Sequence, residues 1–391
     1  MRNVPNSLIS LVPGFVWNII RNETASKKVW LFSKGHSECV TADAVDPLSE
    51  EPPQVPSCAE GDDTEGTNHL LLYDLMRVRQ GKIMFEADHL NRIRQNCALA
   101  APVADVDVGV REYEDDDLLS GYINAIGQSL KEFVQDNSWE NGDVNLKFVT
   151  WGQPSQFADC HTKEKRSEAF LDLPYAIYYV GSFFPPEKWY SDGTRFAILY
   201  DAHRHTPNAK IMQLALRERA KSLQKVTGAF EVLMVSDSAR HYLVPEGSRS
   251  NYLIARDDGS VLCSLEEDIL VGITLRATRR AAAAAGLPPI QHQRLLLGDI
   301  CMSRNIAMLG TSPGILPVKE IQFYYDEESK QQFLTAMDDY LQRAENEESV
   351  RASIAATRDA ILAEGGLRRL ESPQCDILKR LRAAYEAEAL Q

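Results

Sequence analysis

A sequence of 391 residues is long enough for two domains, each able to bury a core of its own. Its 44% apolar and 25% charged composition is that of an ordinary globular protein, and a net charge of -14 excludes nucleic-acid binding by bulk electrostatics, which needs an excess of Lys and Arg. The seven cysteines (Cys39, Cys58, Cys97, Cys160, Cys263, Cys301 and Cys375) are scattered and contain no Cys-x-x-Cys. That pattern fits a reducing compartment rather than a disulfide framework and gives no zinc or other metal site.

The apolar stretch from Ser7 to Ile20 is interrupted by Pro13, Trp17 and Asn18 and is too short to span a bilayer. It reads as part of an N-terminal extension (1–27) of a cytoplasmic protein, with a weak targeting segment flanked by Arg2 and Arg21 as the alternative. Val29 to Phe32 is strand-like, and a Pro-, Glu-, Asp-, Gly- and Ser-rich stretch at 46–67 reads as a mobile loop. Leu71 to Arg79 suits a strand, Gln80-Gly81-Lys82 a hairpin turn, and Glu86 to Ala100 a helix with its acids early and Arg92 and Arg94 in the middle. A second helix runs from the Asp115-Asp116-Asp117 cluster to Val134, and strands cover Val144 to Trp151 and Ala176 to Val180. Together these form an α+β layer, a small α/β domain over residues 28–181.

Pro185 and Pro186 mark a stiff linker at 182–190. A larger domain is expected over 191–321: a strand at Arg195 to Tyr200, a helix at Ile211 to Val226, and strands at Phe230 to Val235 and His241 to Val244. A hairpin follows at Asn251 to Ser264, then a helix from Leu275 to Ala285 stopped by Gly286, and a buried strand at Ile306 to Leu309. From 322 to 391 the composition becomes charged and helix-favouring, a C-terminal helical extension.

Four short stretches carry candidate chemistry. Lys210 stands where a loop is expected to enter a helix, where the positive helix end disfavours an ammonium; a lysine of lowered pKa forms a Schiff base with an aldehyde. Taken alone it reads as a solvated surface lysine, as most lysines are. Glu246 ends a strand after Pro245 and could keep a pyridine nitrogen protonated, or serve as a plain turn acid. Gly272-Ile273-Thr274 offers free amides and a hydroxyl to an anion, or an ordinary helix cap. Gly310-Thr311-Ser312 could donate two hydroxyls, or form a simple turn; Arg92 could add a counter-charge, or lie on a solvated helix face.

In their order and spacing, Lys210, Glu246-Gly-Ser-x-Ser-Asn251, Gly272-Ile-Thr and Gly310-Thr-x-x-Gly-x-x-Pro-Val318 resemble the class IV (fold-type IV) aminotransferases, which use pyridoxal 5'-phosphate. The likeness covers about Leu70 to Ile321; upstream it includes Tyr73-Asp74-Leu75-Met76-Arg77-Val78, Gly81 and His89-Leu-Asn-Arg92-Ile93. The resemblance implies a small α/β domain and a larger pseudo-barrel domain with the cofactor between them, in a homodimer. It implies Lys210 as the Schiff-base lysine and Glu246 on the pyridine nitrogen. Arg92, the Ile273 and Thr274 amides, Thr311 and Ser312 would hold the phosphate, and Tyr73 would face the substrate. The implied reaction is transamination between an amino acid or amine and a keto-acid acceptor. A β-elimination like that of aminodeoxychorismate lyase, or a non-catalytic scaffold of this fold, are the alternatives.

Several departures bear on substrate choice. A Gly-rich approach to the Tyr73 position is replaced by Thr67-Asn68-His69-Leu70. Ala215 stands where the branched-chain group carries Tyr, and Leu275 where an Arg often follows Gly-Ile-Thr. The stretch from Gln153 to His161 lacks the Arg-x-His pair of the D-amino-acid group, and the lyase group's Thr near Tyr73-Asp74 is missing.

Overall fold

The computed structural model of the chain describes residues 8–33, 35–42, 70–100, 117–137, 143–152, 173–181, 183–204, 207–343 and 348–389. The loop expected at 46–67, the stretch at 153–161, Cys58 and Cys160 lie outside the described residues. The chain divides into two units, Met1–Phe183 with Ala209–Met212, and Phe184–Asn208 with Gln213–Gln391.

Unit 1 opens with a 3₁₀ turn at Leu8–Leu11 and helix α1 (Gly14–Glu23), followed by β1 (Thr24–Ser33), β2 (His36–Thr41), β3 (Leu70–Arg79) and β4 (Lys82–Ile83). Helices α2 (Glu86–Ala100) and α3 (Asp117–Asp136) and strands β5 (Val144–Gly152) and β6 (Tyr175–Val180) complete it. The described strands form one sheet in the order β2-β1-β6-β5-β3-β4, with antiparallel pairs throughout. Gln80 and Gly81, the two residues between β3 and β4, both have positive φ (52° and 73°), the backbone a two-residue hairpin requires.

Every residue of β5 and β6 is buried, because both faces of the sheet are covered. On one face Met76, Leu146, Phe148 and Ile177 pack with Ile93 of α2 and Ile126 and Phe133 of α3. On the other, Tyr73, Val149 and Tyr178 pack with Val16, Trp17 and Ile20 of α1. The Trp151 indole donates to the Leu11 carbonyl at 3.1 Å and ties down the N-terminal turn.

Unit 2 contains α4 (Glu187–Asp192), β7 (Thr194–Leu199), α5 (Leu214–Thr227), β8 (Glu231–Met234), β9 (Asn251–Ala255), β10 (Val261–Cys263), α6 (Ile273–Ala284) and β11 (Ile290–His292). After these come α7 (Leu297–Met302), β12 (Asn305–Gly310), β13 (Gly314–Gln322), α8 (Glu327–Arg343), α9 (Glu348–Ala363), β14 (Leu367–Arg369) and α10 (Asp376–Glu388). The strand order is β11-β10-β9-β12-β13-β7-β8, with β14 added to β13.

The sheet curls because one extended segment touches both of its ends. Ser248 N donates to Val232 O (2.9 Å) and Met234 N to Glu246 O (3.0 Å) at β8, while Val244 N donates to Leu295 O (2.8 Å) and Leu297 N to Tyr242 O (3.0 Å) just past β11. Residues 242–248 thereby close a pseudo-barrel around Phe196, Leu233, Tyr252, Leu316 and Phe323. This corrects the strand expected at His241 to Val244. His241 and Tyr242 take left-handed φ of 58° and 56°, which breaks a strand, and Leu243 makes only an isolated bridge to Leu296.

The residues after Ile321 pack onto this barrel. The Asp326 carboxylate accepts from Ser329 N at 2.8 Å and starts α8; Phe333 and Met337 then enter the core. Gly298 on α7 lies so close to the Tyr340 ring of α8 that an added Cβ would run into the ring. Gly298→Ala should therefore displace Tyr340, break its 2.8 Å bond to Asp299 and cost about 1–3 kcal/mol in denaturant unfolding, the range for overpacking a core.

Candidate active site

In unit 1 the four residues around Lys210 form an extra strand-like segment on the edge of β3. Tyr73 N donates to Lys210 O (3.3 Å), Met212 N to Leu71 O (3.0 Å), and Ile211 bridges Leu72. The Lys210 amide donates to the Asn96 side chain of α2 at 3.1 Å. The helix expected from Ile211 starts instead at Leu214, so Lys210 does not stand at a helix entrance. Its environment is an aromatic one: Nζ lies 5.0 Å from the Tyr73 ring centroid.

The strand residue after Tyr73 faces the opposite way. There Asp74, fully buried, accepts from Arg92 Nε at 2.8 Å and from an Arg92 terminal nitrogen at 2.5 Å, and faces His89 Nδ1 at 2.8 Å. Arg92 and His89 lie one turn apart on α2, and both are buried. The sequence allowed a solvated Arg92; the structure seats it against a carboxylate that fixes the guanidinium. Burial alone would raise the Asp74 pKa, but Arg92 and His89 outweigh it and hold the carboxyl well below the usual range. His89 is pushed below its ordinary 6.5, first by burial, with Arg92 and Lys210 adding to the effect against Asp74. It is therefore a neutral imidazole whose Nδ1–H donates to Asp74.

In unit 2, Glu246 lies in the closing segment and is 2% exposed. Arg204 Nε comes within 2.9 Å of its Oε1, a close ion pair without the alignment of a hydrogen bond, and an Arg204 terminal nitrogen donates to Ser248 O at 2.9 Å. Asn251 spans two features: Nδ2 donates to Leu270 O (3.0 Å) and lies 3.4 Å from Glu246 Oε2, and Oδ1 accepts from Gly272 N (3.1 Å). Gly272 is the N-cap of α6 and provides no side-chain cap, so the first-turn amides, including those of Ile273 and Thr274, have no capping group. An added Cβ at Gly272 would meet Asn251 Oδ1 at 2.6 Å, so only glycine permits this approach.

The serines of the Glu-Gly-Ser-x-Ser motif serve the backbone. Ser248 and Ser250 donate to the buried Glu231 at 2.6 and 3.0 Å, which pins the loop behind Glu246. Thr311 and Ser312 lie in the turn between β12 and β13, next to the strand residue Leu309 that pairs with Asn251. The C-terminal extension supports this turn: Gly314 approaches Tyr385 of α10 closely, and α10 also contacts α6 through the 2.9 Å Arg280–Glu388 pair.

Residues 71–321 match the family model described as amino-transferase class IV. The chain belongs to the class IV aminotransferase family. Among solved structures it is similar to a hypothetical aminotransferase from Mycobacterium tuberculosis in PLP-bound form, at 16% identity and a TM-score of 0.54 over 92% of this chain and 99% of that one. It is likewise similar to the branched-chain aminotransferase of Thermoproteus uzoniensis with norvaline (18%, TM-score 0.51, 88% and 99%). The branched-chain amino acid aminotransferase of Escherichia coli gives 14% and a TM-score of 0.50, covering 76% and 86%. No curated protein sequence matches the chain.

This class IV aminotransferase has the α+β, fold-type IV architecture and catalyses transamination with pyridoxal 5'-phosphate. The uncapped α6 terminus and the buried Glu246 fit a group with a phosphate at one end and a basic ring nitrogen at the other. Thiol chemistry has no support at the buried cysteines: burial pushes Cys97 and Cys263 up to about 12. No helix among the described residues is long and apolar enough to cross a membrane.

Residue type alone gave no role to Asp74, His89, Asn96, Arg204 or Asn251, which the structure places against Arg92, Lys210 and Glu246. Arg204 has no local signal, since its partner Glu246 lies forty-two residues on. Asp74 and His89 required knowing that β3 and α2 pack together.

Proposed function

We propose that this aminotransferase moves the amino group of an amino acid or amine to a keto acid through Lys210 and Glu246. The observation that carries the reading is Asn251, whose single side chain reaches both the buried Glu246 and the uncapped start of α6. An amide in that place fixes the spacing between an acid for a ring nitrogen and a cup for a phosphate. Pyridoxal 5'-phosphate supplies an electron sink for the donor's α-carbon.

Lys210 binds the cofactor covalently through Nζ. As a free amine, Lys210 Nζ would serve as the base that takes the proton from the donor's α-carbon. Glu246 would keep the ring nitrogen protonated, and Arg204 is ion-paired to it at 2.9 Å. Arg92, the Ile273 and Thr274 amides, Thr311 and Ser312 bind the phosphate, and Tyr73 lines the substrate side. The keto-acid acceptor completes a ping-pong cycle. A cytoplasmic location and a homodimer complete the proposal, supported by the scattered cysteines and the family resemblance.

Cofactor titration followed by absorbance tests the phosphate assignment. Thr311→Val, which removes one of the hydroxyls assigned to the phosphate, should weaken binding by roughly tenfold or more, the loss expected for a hydrogen bond to a charged group. A protein that takes up no pyridoxal phosphate would overturn the proposal.

A further inference from the structure

The sheet face that carries Tyr73 also carries a second lysine. In the β3–β5 register Tyr73 pairs with Val149 and Leu75 with Lys147, which puts Lys147 on the Tyr73 face. Lys147 Nζ lies 5.2 Å from the Tyr73 ring centroid, and Lys210 Nζ lies 5.0 Å from the same centroid. Lys147 is paired with Glu23, the last residue of α1, and the Glu23 carboxylate also accepts from the Tyr178 hydroxyl at 2.9 Å.

Stability does not account for this arrangement. A buried ion pair contributes little compared with apolar residues of the same volume, and Leu75 across from Lys147 and Val149 beside it are apolar, while Tyr178 and Asn145 are the polar neighbours on this face. A second ammonium beside the ring that Lys210 uses adds like-charge repulsion. The two partners also differ in freedom. The Lys147 side chain is 4% exposed in mid-strand and needs an anion wherever it is; the Glu23 side chain is 30% exposed at a helix end and can turn to water.

We propose that Lys147 binds a substrate carboxylate on the Tyr73 side of the sheet and that Glu23 occupies that place until the substrate displaces it. The substrates are then amino and oxo acids carrying a carboxylate within reach of Tyr73, rather than simple amines. The inference rests on the roles given above to Lys210 and Tyr73. It assigns the N-terminal helix a task, that of holding a tethered competitor over the substrate side.

The test uses the full chain and a simple probe. Melting temperature is measured on cofactor-free protein against rising propionate, with propionamide as the uncharged control, for wild type, Lys147→Met, Lys147→Arg and Glu23→Gln. Propionate should raise the wild-type melting temperature and propionamide should not. Lys147→Met should abolish the response and Lys147→Arg should retain it. Glu23→Gln should lower the half-effective propionate concentration by about tenfold or more, as removal of a tethered competitor does. In the loaded enzyme Glu23→Gln should lower KM for an amino-acid donor and leave KM for a primary amine in place.

An unchanged propionate response in Lys147→Met, or a weaker one in Glu23→Gln, overturns the proposal. Should Lys147→Met fail to fold, the Glu23→Gln and Lys147→Arg arms still decide it. Because the response is read without cofactor, a protein that never binds pyridoxal phosphate but keeps the response sinks the enzyme reading alone. A cofactor-binding protein without the response sinks this inference alone.

Discussion

Lys210→Ala should lower kcat by about 10⁴-fold or more, the upper end of what proton transfer by a positioned side chain supplies, because the variant loses the covalent anchor as well. Lys210 is fixed by a backbone pairing to β3 and by the hydrogen bond its backbone N–H donates to Asn96 Oδ1, whereas the nearby Lys147 is engaged by Glu23. Two measurements check this. Borohydride reduction of the wild type in pyridoxal phosphate should fix the cofactor on a peptide containing Lys210, and the variant should give no labelled peptide. Addition of a small primary amine should restore part of the variant's turnover, since it replaces the missing base without rebuilding the anchor. Labelling at another lysine, or an alanine variant with near-normal kcat, would remove Lys210 from the mechanism.

Local signals made much of the fold legible. The hairpin at Gln80-Gly81, the α2 helix, the mostly apolar strands β5 and β6 and the Gly286 stop after α6 all follow from patterns a few residues long. The spacing from Lys210 through Glu246 and Gly272 to Gly310 was enough to suggest the family. What local pattern could not supply was long-range pairing. Ile211 has helix-compatible neighbours, but the β3 edge takes residues 210–212 into a strand-like segment and delays α5 to Leu214. The segment around Val244 looks like a strand, but its hydrogen bonds are divided between two ends of a curled sheet. The extension after Ile321 was legible as helical; that Tyr385 supports the turn after Thr311 and Ser312 was not, since it depends on contacts across about seventy residues. Arg92 shows the same limit: its residue type fits a solvated helix face, and only the packing of α2 on β3 supplies the buried partner.

That partner gives the second large effect. Asp74→Asn should destabilise the protein by about 3–5 kcal/mol near neutral pH, the cost of leaving the other member of a buried ion pair uncompensated. The substitution keeps the shape of the side chain but removes the charge that Arg92 and His89 face at 2.5–2.8 Å. Because the folded pKa of Asp74 lies below its ordinary 3.8, the ion pair contributes its full stability above 3.8 and loses it as the pH falls through the lowered value. The gap between wild type and variant should therefore persist across neutral and mildly acid pH and close only in strong acid. His89 adds a separate slope in both proteins. Its folded pKa is depressed, so the unfolded chain takes up a proton that the folded chain refuses once the pH drops below 6.5, and stability declines from there downward. Denaturant titrations of the two proteins from pH 8 to pH 3 separate the effects. Cofactor affinity should fall with them, by about tenfold or more, because a guanidinium released from Asp74 is no longer held in one place. A variant with wild-type stability and wild-type cofactor affinity would show that Asp74 neither holds Arg92 nor needs to.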